Sequence, residues 1–314
     1  MLSGLNAAER ERVAALRGEG RFFWLDVSLS ETSRDDLVDA LGIPERLRAL
    51  ASSGDASASR TFHADREFVV FALRCDIASE APADEAAYRL RPVEVHVLVT
   101  GDYLLTLHEE RISLPAVLAP ELPEERSKPY VVYAVLEAML ATTSDALAEI
   151  ERGLDSIGIA WAEEGGGRVP SRTTLRETGP RLATMRRRVS AEQAVIARIG
   201  VEIGALRGFD KHDEPYFDRL YEQVNRLLAS IDAALNAMAM LLDLQLNERA
   251  YVVSVVATIF VPLTLITGFF GMNFEWMVDQ IDTPIAFWLL GFIGPVAVAL
   301  LCWRFLVRRF LIGD

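Results

Sequence analysis

Cysteine is nearly absent. Cys75 and Cys302 stand far apart in 314 residues, with no CxxC pair. That excludes a disulfide framework and a thiolate metal site. Histidine is almost as scarce: His63, His96, His108 and His212 form neither HExxH nor a pair at helical spacing. No GxGxxG, P-loop or nucleophile elbow is present, so no enzyme activity and no cofactor are expected. The cluster Asp210, His212, Asp213 and Glu214 falls where a turn is expected, and polar residues there need no metal to explain them. Positive charge is also short, with 32 Lys and Arg against 45 Asp and Glu and a net charge of -13. An acidic chain argues against nucleic acid as the main partner and suits one that concentrates cations. The opening stretch, MLSGLNAAERERVAALRGEG, has no apolar run. No signal peptide is expected, and the soluble part is expected in the cytosol.

Long uncharged apolar runs are confined to the last quarter. The chain is organised around the first of them, residues 250–273, AYVVSVVATIFVPLTLITGFFGMN. No charged side chain occurs from Ala250 to Phe270. At about 1.5 Å per residue, such a helix crosses a hydrocarbon core of roughly 30 Å. Asn247, Ala250, Ser254, Ala257, Val261, Thr264 and Gly268 recur at alternating steps of three and four, which places them on one helical face. A stripe of small and polar residues faces other helices or water rather than lipid. Spacing alone leaves two readings: helix packing through small residues, or a pore wall. Asn236 and Asp243, seven apart, carry a polar line towards Asn247. Gly271, Met272 and Asn273 close the run. Gly271 is expected to give the turn its backbone freedom, and Met272 to pack it. Asn273 either caps the helix or offers carboxamide oxygens to the waters of a passing ion, since Mg2+ takes oxygen ligands and keeps its water.

Elsewhere the chain alternates strand and helix signals. Residues 5–18 read as a polar helix and 21–29 as a strand. Thr32 and Asp35 form a capping box for a helix over residues 33–41, and 51–59 is loop by composition. Strands are expected at 60–63, 67–76 and 92–100. Gly101-Asp102 turns the last of these into a return strand over 103–108. Residues 78–87 read as a polar insertion. Helices are expected over 130–164, 173–206 and from 216 to 270 without interruption, with a kink at Pro262. Leu220, Val224, Leu227, Ile231, Ala234, Met238 and Leu241 form a coiled-coil seam, which is expected along an oligomer axis or against a neighbouring helix. Arg186, Arg187 and Arg188 read as a solvated face. The second span is 285–303, followed by Arg304, Arg308 and Arg309. The positive-inside rule puts both ends in the cytosol and the loop between the spans outside. That loop carries Glu275, Asp279 and Asp282, which either draw cations to a mouth or are an ordinary solvated loop.

Residues 257–277, ATIFVPLTLITGFFGMNFEWM, resemble the CorA family of divalent-cation channels. The segments FWLDVSLSETSRDDLVDALGIPE and GDYLLTLHEE are similar to that family too, so the resemblance covers the whole chain. It implies an α/β cytosolic domain over 1–129, a helical stalk over 130–249 and a membrane domain over 250–314, assembled as a pentameric funnel. By the same resemblance Gly271, Met272 and Asn273 form a filter that holds the ion through its water. Thr264, Gly268 and the rest of the stripe line the pore, and Val253 and Val261 constrict it. The transported ion is magnesium or cobalt by the motif Phe274-Glu275-Trp276-Met277. Zinc, as in the ZntB branch, is the rival, because Val278 stands where the magnesium branch usually has Pro. The implied partners are further copies of the chain, the inner-membrane bilayer and the divalent ion. A membrane-anchored sensor that does not conduct is the second class.

Overall fold

The computed structural model describes residues 2–3, 7–30, 32, 41, 62–78, 90–110, 113–118, 127–163, 172–209, 214–272 and 283–310. The chain forms two compact units, Met1–Met238 and Ala239–Asp314. Asp35 of the capping box, the loop at 51–59, almost all of the helix at 33–41 and nearly all of the insertion at 78–87 lie outside the described residues.

The strands of the first unit are β1 (Leu2–Ser3), β2 (Phe23–Ser28), β3 (His63–Ala64), β4 (Phe68–Ala78), β5 (Leu90–Thr100) and β6 (Tyr103–His108). They form one sheet in the order β1-β2-β6-β5-β4-β3. The pairs β1-β2 and β2-β6 are parallel, and the other three pairs are antiparallel. Parallel strands are covered on both faces, and all six residues of β2 are buried. The hairpin at Gly101-Asp102 forms as expected, with Thr100 Oγ1 accepting the amides of Asp102 at 3.2 Å and Tyr103 at 3.0 Å. A Cβ on Gly101 would lie 2.7 Å from the carbonyl oxygen of Arg207, so this close approach requires glycine. Ala78, expected in the insertion, instead ends β4 and pairs with Leu90. The strand expected at 60–63 is described only as His63–Ala64. Phe62 stands outside it, and the guanidinium of Arg198 lies 4.0 Å from its ring centre.

The first helix, α1 (Ala7–Gly18), packs Val13 into a core with Leu25, Val27 and Leu105. A short helix not anticipated from the sequence, α2 (Leu114–Leu118), has its first amide held by the buried Asp26 Oδ2 at 2.9 Å. Asp26 Oδ1 accepts from Thr106 at 2.6 Å, and Thr106 accepts from Trp24 Nε1 at 3.0 Å. The buried carboxylate is thus matched by donors from two other elements.

Three long helices follow: α3 (Lys128–Glu163), α4 (Arg172–Gly204) and α5 (Glu214–Phe270). Both α3 and α4 pack on β4. Although α3 is long and apolar enough to cross a membrane, 61% of its apolar window is buried inside the unit. It is a core helix. Helices α4 and α5 form an antiparallel pair. Going down α4 in steps of seven, Gly179 meets Met238, Arg186 meets Asp232, Gln193 meets Asn225 and Gly200 meets Phe217. Leu220, Val224, Leu227, Ile231 and Ala234 are buried within the chain. The seam therefore packs against neighbouring helices of its own chain, the second of the two positions expected for it.

Arg186 and Arg187 are exposed as expected, but Arg188 is only 8% exposed. It turns inward because a carboxylate waits there: Arg188 Nη1 donates to Asp76 Oδ1 at 3.1 Å, and Nη2 donates to Asp76 Oδ2.

In the second unit α5 runs on to Phe270 with no break in helical assignment at Pro262. The last helical stretch begins with a turn at Pro284–Ala286, winds as a π-helix over Phe287–Ile293 and continues as α6 (Gly294–Phe310), past the expected end at 303. The π turn directly precedes Pro295, which has no amide to donate to the turn before it.

Candidate ion pathway

The candidate residues occupy one helix. With 3.6 residues per turn, Asp243, Asn247, Ala250, Ser254, Ala257, Val261, Thr264 and Gly268 fall within an arc of about 100°. Val253 lies just outside that arc. All of them are exposed, including Val253 at 67% and Val261 at 65%. Asn236, in the first unit, is exposed too. The apolar residues on the rest of the helix are also uncovered, with Phe260 at 63% and Leu265 at 73%. No residue in the apolar window of this helix is buried. Its surface is thus of two kinds, a broad apolar belt and a narrow stripe of small and hydroxyl residues. A bilayer solvates the first and not the second.

Three threonine hydroxyls in this stretch donate to the helix backbone. Thr258 Oγ1 donates to the Ser254 carbonyl at 2.8 Å, Thr264 to Phe260 at 2.8 Å and Thr267 to Leu263 at 2.9 Å. These are bonds to the preceding turn, of the kind that satisfies polar side chains inside an apolar helix. With its proton committed, Thr264 Oγ1 presents only lone pairs outward. It can accept from the water of a hydrated cation and cannot donate to an anion.

The helix ends with Gly271 N donating to Thr267 O at 2.9 Å and Met272 N to Phe269 O at 3.2 Å. Gly271 was expected to use glycine's conformational freedom. It does not: among the described glycines only Gly20 and Gly208 have positive φ. A Cβ at Gly271 would instead lie 3.1 Å from the Thr267 carbonyl oxygen. The end of the helix is crowded rather than left-handed. Met272 is 40% exposed, so it does not pack the turn within the chain. Asn273, Glu275, Asp279 and Asp282 lie outside the described residues, as do Asp210, His212 and Asp213. Among the described residues no three His, Cys, Asp or Glu side chains gather into a group that could hold a metal.

A second polar centre lies in the first unit and was not anticipated. Asp76 accepts from Arg188 and, through Oδ2, from Thr143 Oγ1 at 2.8 Å, while its own amide donates to Thr142 Oγ1 at 2.9 Å. Glu192, one turn beyond Arg188, is fully buried and accepts the Arg74 amide at 3.1 Å. Among the described residues its other oxygen, Oε2, has no hydrogen-bond partner, and neither does Arg188 Nε. Burial, first, pushes the Glu192 carboxyl up to about 7, against the pull of Arg188. Burial likewise raises the Cys75 thiol, which makes it an inert core group. A signal for Glu192 does exist in the sequence. Leu182, Met185, Val189, Glu192, Ile196, Ile199 and Ile203 alternate steps of three and four, so the carboxyl falls on the buried stripe of α4.

The model of the family described as "CorA-like Mg2+ transporter protein" matches residues 19–309. The cobalt/magnesium transport protein CorA of Thermotoga maritima is 26% identical over 182 residues, covering 54% of this chain and 50% of that protein. The zinc transport protein ZntB of Pectobacterium atrosepticum is 22% identical over 222 residues, covering 67% of this chain and 66% of that protein. The matched region thus spans one half to two thirds of the length of these curated relatives. Among solved structures, the complete CorA magnesium transporter from Methanocaldococcus jannaschii aligns with a TM-score of 0.60 at 17% identity, covering 91% of this chain and 90% of that one. The ZntB cytoplasmic domain from Vibrio parahaemolyticus aligns with a TM-score of 0.54 at 13% identity, covering 73% of this chain and 88% of that one. These likenesses show a shared fold. Since the family model extends over most of the sequence, the chain belongs to the CorA-like Mg2+ transporter family.

Proposed function

We propose that this chain is one subunit of a homopentameric divalent-cation channel of the inner membrane, with both ends in the cytosol. Its soluble domain is residues 1–129, its stalk 130–249 and its membrane domain 250–314. The observation that carries this reading is the uncovered stripe from Asp243 to Gly268. On a helix whose other faces suit lipid, a stripe of small side chains and outward lone pairs needs water or a second copy against it. Five such stripes around an axis make a wall that touches ions only through oxygen and small apolar groups. Asn273 rings its outer end and hydrogen-bonds the ion's waters with neutral oxygens, holding the ion without stripping it. Val261 and Val253 supply apolar constrictions that gate by dewetting. Glu275, Asp279 and Asp282 raise the cation concentration at the mouth.

Magnesium or cobalt is the ion we assign, from the motif Phe274-Glu275-Trp276-Met277. Zinc is the second reading, favoured by Val278 and by the relatives named as zinc transport proteins. The deciding experiment is flux into liposomes holding the purified full-length protein, with magnesium, cobalt, nickel and zinc in competition. Saturable flux blocked by an excess of magnesium or cobalt is expected. Intact oligomers with no flux of any of the four ions would replace the channel with a membrane-anchored sensor.

A further inference from the structure

One cavity of the first unit runs against the charge of the chain. It lies between the β4-β5 edge and α4, encloses about 640 Å³ and is lined by Arg74, Arg181, Arg187 and Arg188 beside a single carboxylate, Asp76. Four guanidiniums line this cleft with Asp76, while Glu94 pairs with Arg74 and the buried Glu192 stands one turn from Arg188, in a protein of net charge -13. Surface arginines scatter when they serve only solubility, and convergence of several on one concavity marks recognition of an anion. We propose that this cleft binds a phosphate-bearing small-molecule anion.

The chemistry of each wall supports that class of ligand. Asp76 offsets Arg188, to which it is bonded through both oxygens, and leaves Arg74, Arg181 and Arg187 as the other guanidiniums of the cleft. Arg188 is more than nine-tenths buried, and its Nε–H has no acceptor among the described residues. Arg74 gives one terminal nitrogen to Glu94 at 2.7 Å. Arg187 is exposed and, among the described residues, bonds Thr184, one turn back on its own helix. Pro92, Pro180 and Met185 add apolar surface to the lining. The volume falls in the range of small-molecule sites, roughly 300–1,000 Å³. A lining that is both charged and apolar fits a phosphate ester carrying a ring better than bare phosphate. An occupant would tie α4 to the sheet. This reading does not depend on ion conduction, because its readout is binding alone.

The test is isothermal calorimetry on the full chain in detergent, free of magnesium, with pyrophosphate and ATP as probes. Arg187→Gln is compared with Arg186→Gln. The two residues are adjacent and exposed and carry the same charge, but Arg186 faces Asp232 and lies outside the cleft. The expected result is saturable binding of ATP, tighter than that of pyrophosphate. Arg187→Gln should weaken it at least about tenfold, the scale of one charge-assisted hydrogen bond, and Arg186→Gln should leave it unchanged. Equal weakening by the two variants, or no saturation by either probe in the millimolar range, overturns the proposal.

Discussion

Gly200 of α4 and Phe217 of α5 touch so closely that a Cβ on Gly200 would lie 2.9 Å from the Cβ of Phe217. The same two helices meet again at Gly179 and Met238, at the far end of their antiparallel overlap. Glycine therefore lets the helix backbones approach at both ends of the pair. The apolar seam of α5 is spent largely within the subunit, and this changes what its mutation reports.

Gly200→Ala forces a side chain against Phe217 Cβ, which is close to the backbone and cannot swing away. A loss of about 1–3 kcal/mol is expected, as for overpacking generally. Gly153 in α3 meets nothing within 4 Å of an added Cβ. Gly153→Ala should therefore stabilise by about 0.5–1 kcal/mol through helix propensity. Thermal unfolding of the two variants in detergent checks the sign of each. Equal shifts in the same direction would show that the α4–α5 contact is looser than described.

Val224 is fully buried inside the chain. Val224→Asp places an unpaired charge in that core, at a cost of several kcal/mol. The first unit should then lose its fold, seen as rapid proteolysis and loss of near-ultraviolet circular dichroism. A folded, protease-resistant variant that fails only to assemble would instead place Val224 at a subunit interface.

Glu192 sets a pH dependence. Its carboxyl titrates near 7 in the folded chain, above its ordinary value of about 4.3. The folded state therefore binds the proton more tightly than the unfolded state. The associated stability is fully present below about pH 4.3 and is lost as pH rises through 7. Glu192→Gln keeps an acceptor for the Arg74 amide and removes the titration. Relative to wild type, it should gain up to about 3 kcal/mol as pH is raised from 5 to 8. Denaturant midpoints at the two pH values measure this. A pH-independent difference between the proteins would show that Glu192 does not titrate in that range.

Asn273 separates the filter from the helix cap. Asn273→Ala removes the carboxamide at a cost of only about 1 kcal/mol to a helix end. Flux should nevertheless collapse while the melting temperature barely moves. Asn273→Asp adds a ring of charge that binds a divalent ion more tightly and releases it more slowly. Apparent affinity should rise as maximal flux falls. If Asp transports like wild type, and the Ala variant's loss of flux tracks its loss of stability, the residue is a cap.

Local pattern carried much of this molecule. The three-and-four spacing of apolar residues placed α3, α4 and α5 within a few residues of their ends, because helix periodicity is a property of neighbours in sequence. Turn chemistry at Gly101-Asp102 placed the β5-β6 hairpin for the same reason. The stripe from Asn247 to Gly268 was legible because a helix cannot change which residues share its face. The short strand β1, which pairs with β2, and the helix α2, anchored by Asp26, were not legible. Neither is long enough to show a period, and each exists through a partner distant in sequence.

What only the tertiary structure decided is who covers whom. Three arginines in a row look solvated, yet Arg188 is drawn into the core by Asp76, 112 residues away. Glu192 sits on an apolar stripe that the sequence displays, but nothing in the sequence says that the Arg74 amide accompanies it. The seam of α5 is visible as a pattern, while its pairing with α4 depends on Gly179 and Gly200 meeting Met238 and Phe217. Sequence periodicity determines which face of an element must be covered. The partner on that face is set by contacts between residues far apart in the chain, where charge, volume and backbone approach must all be satisfied together.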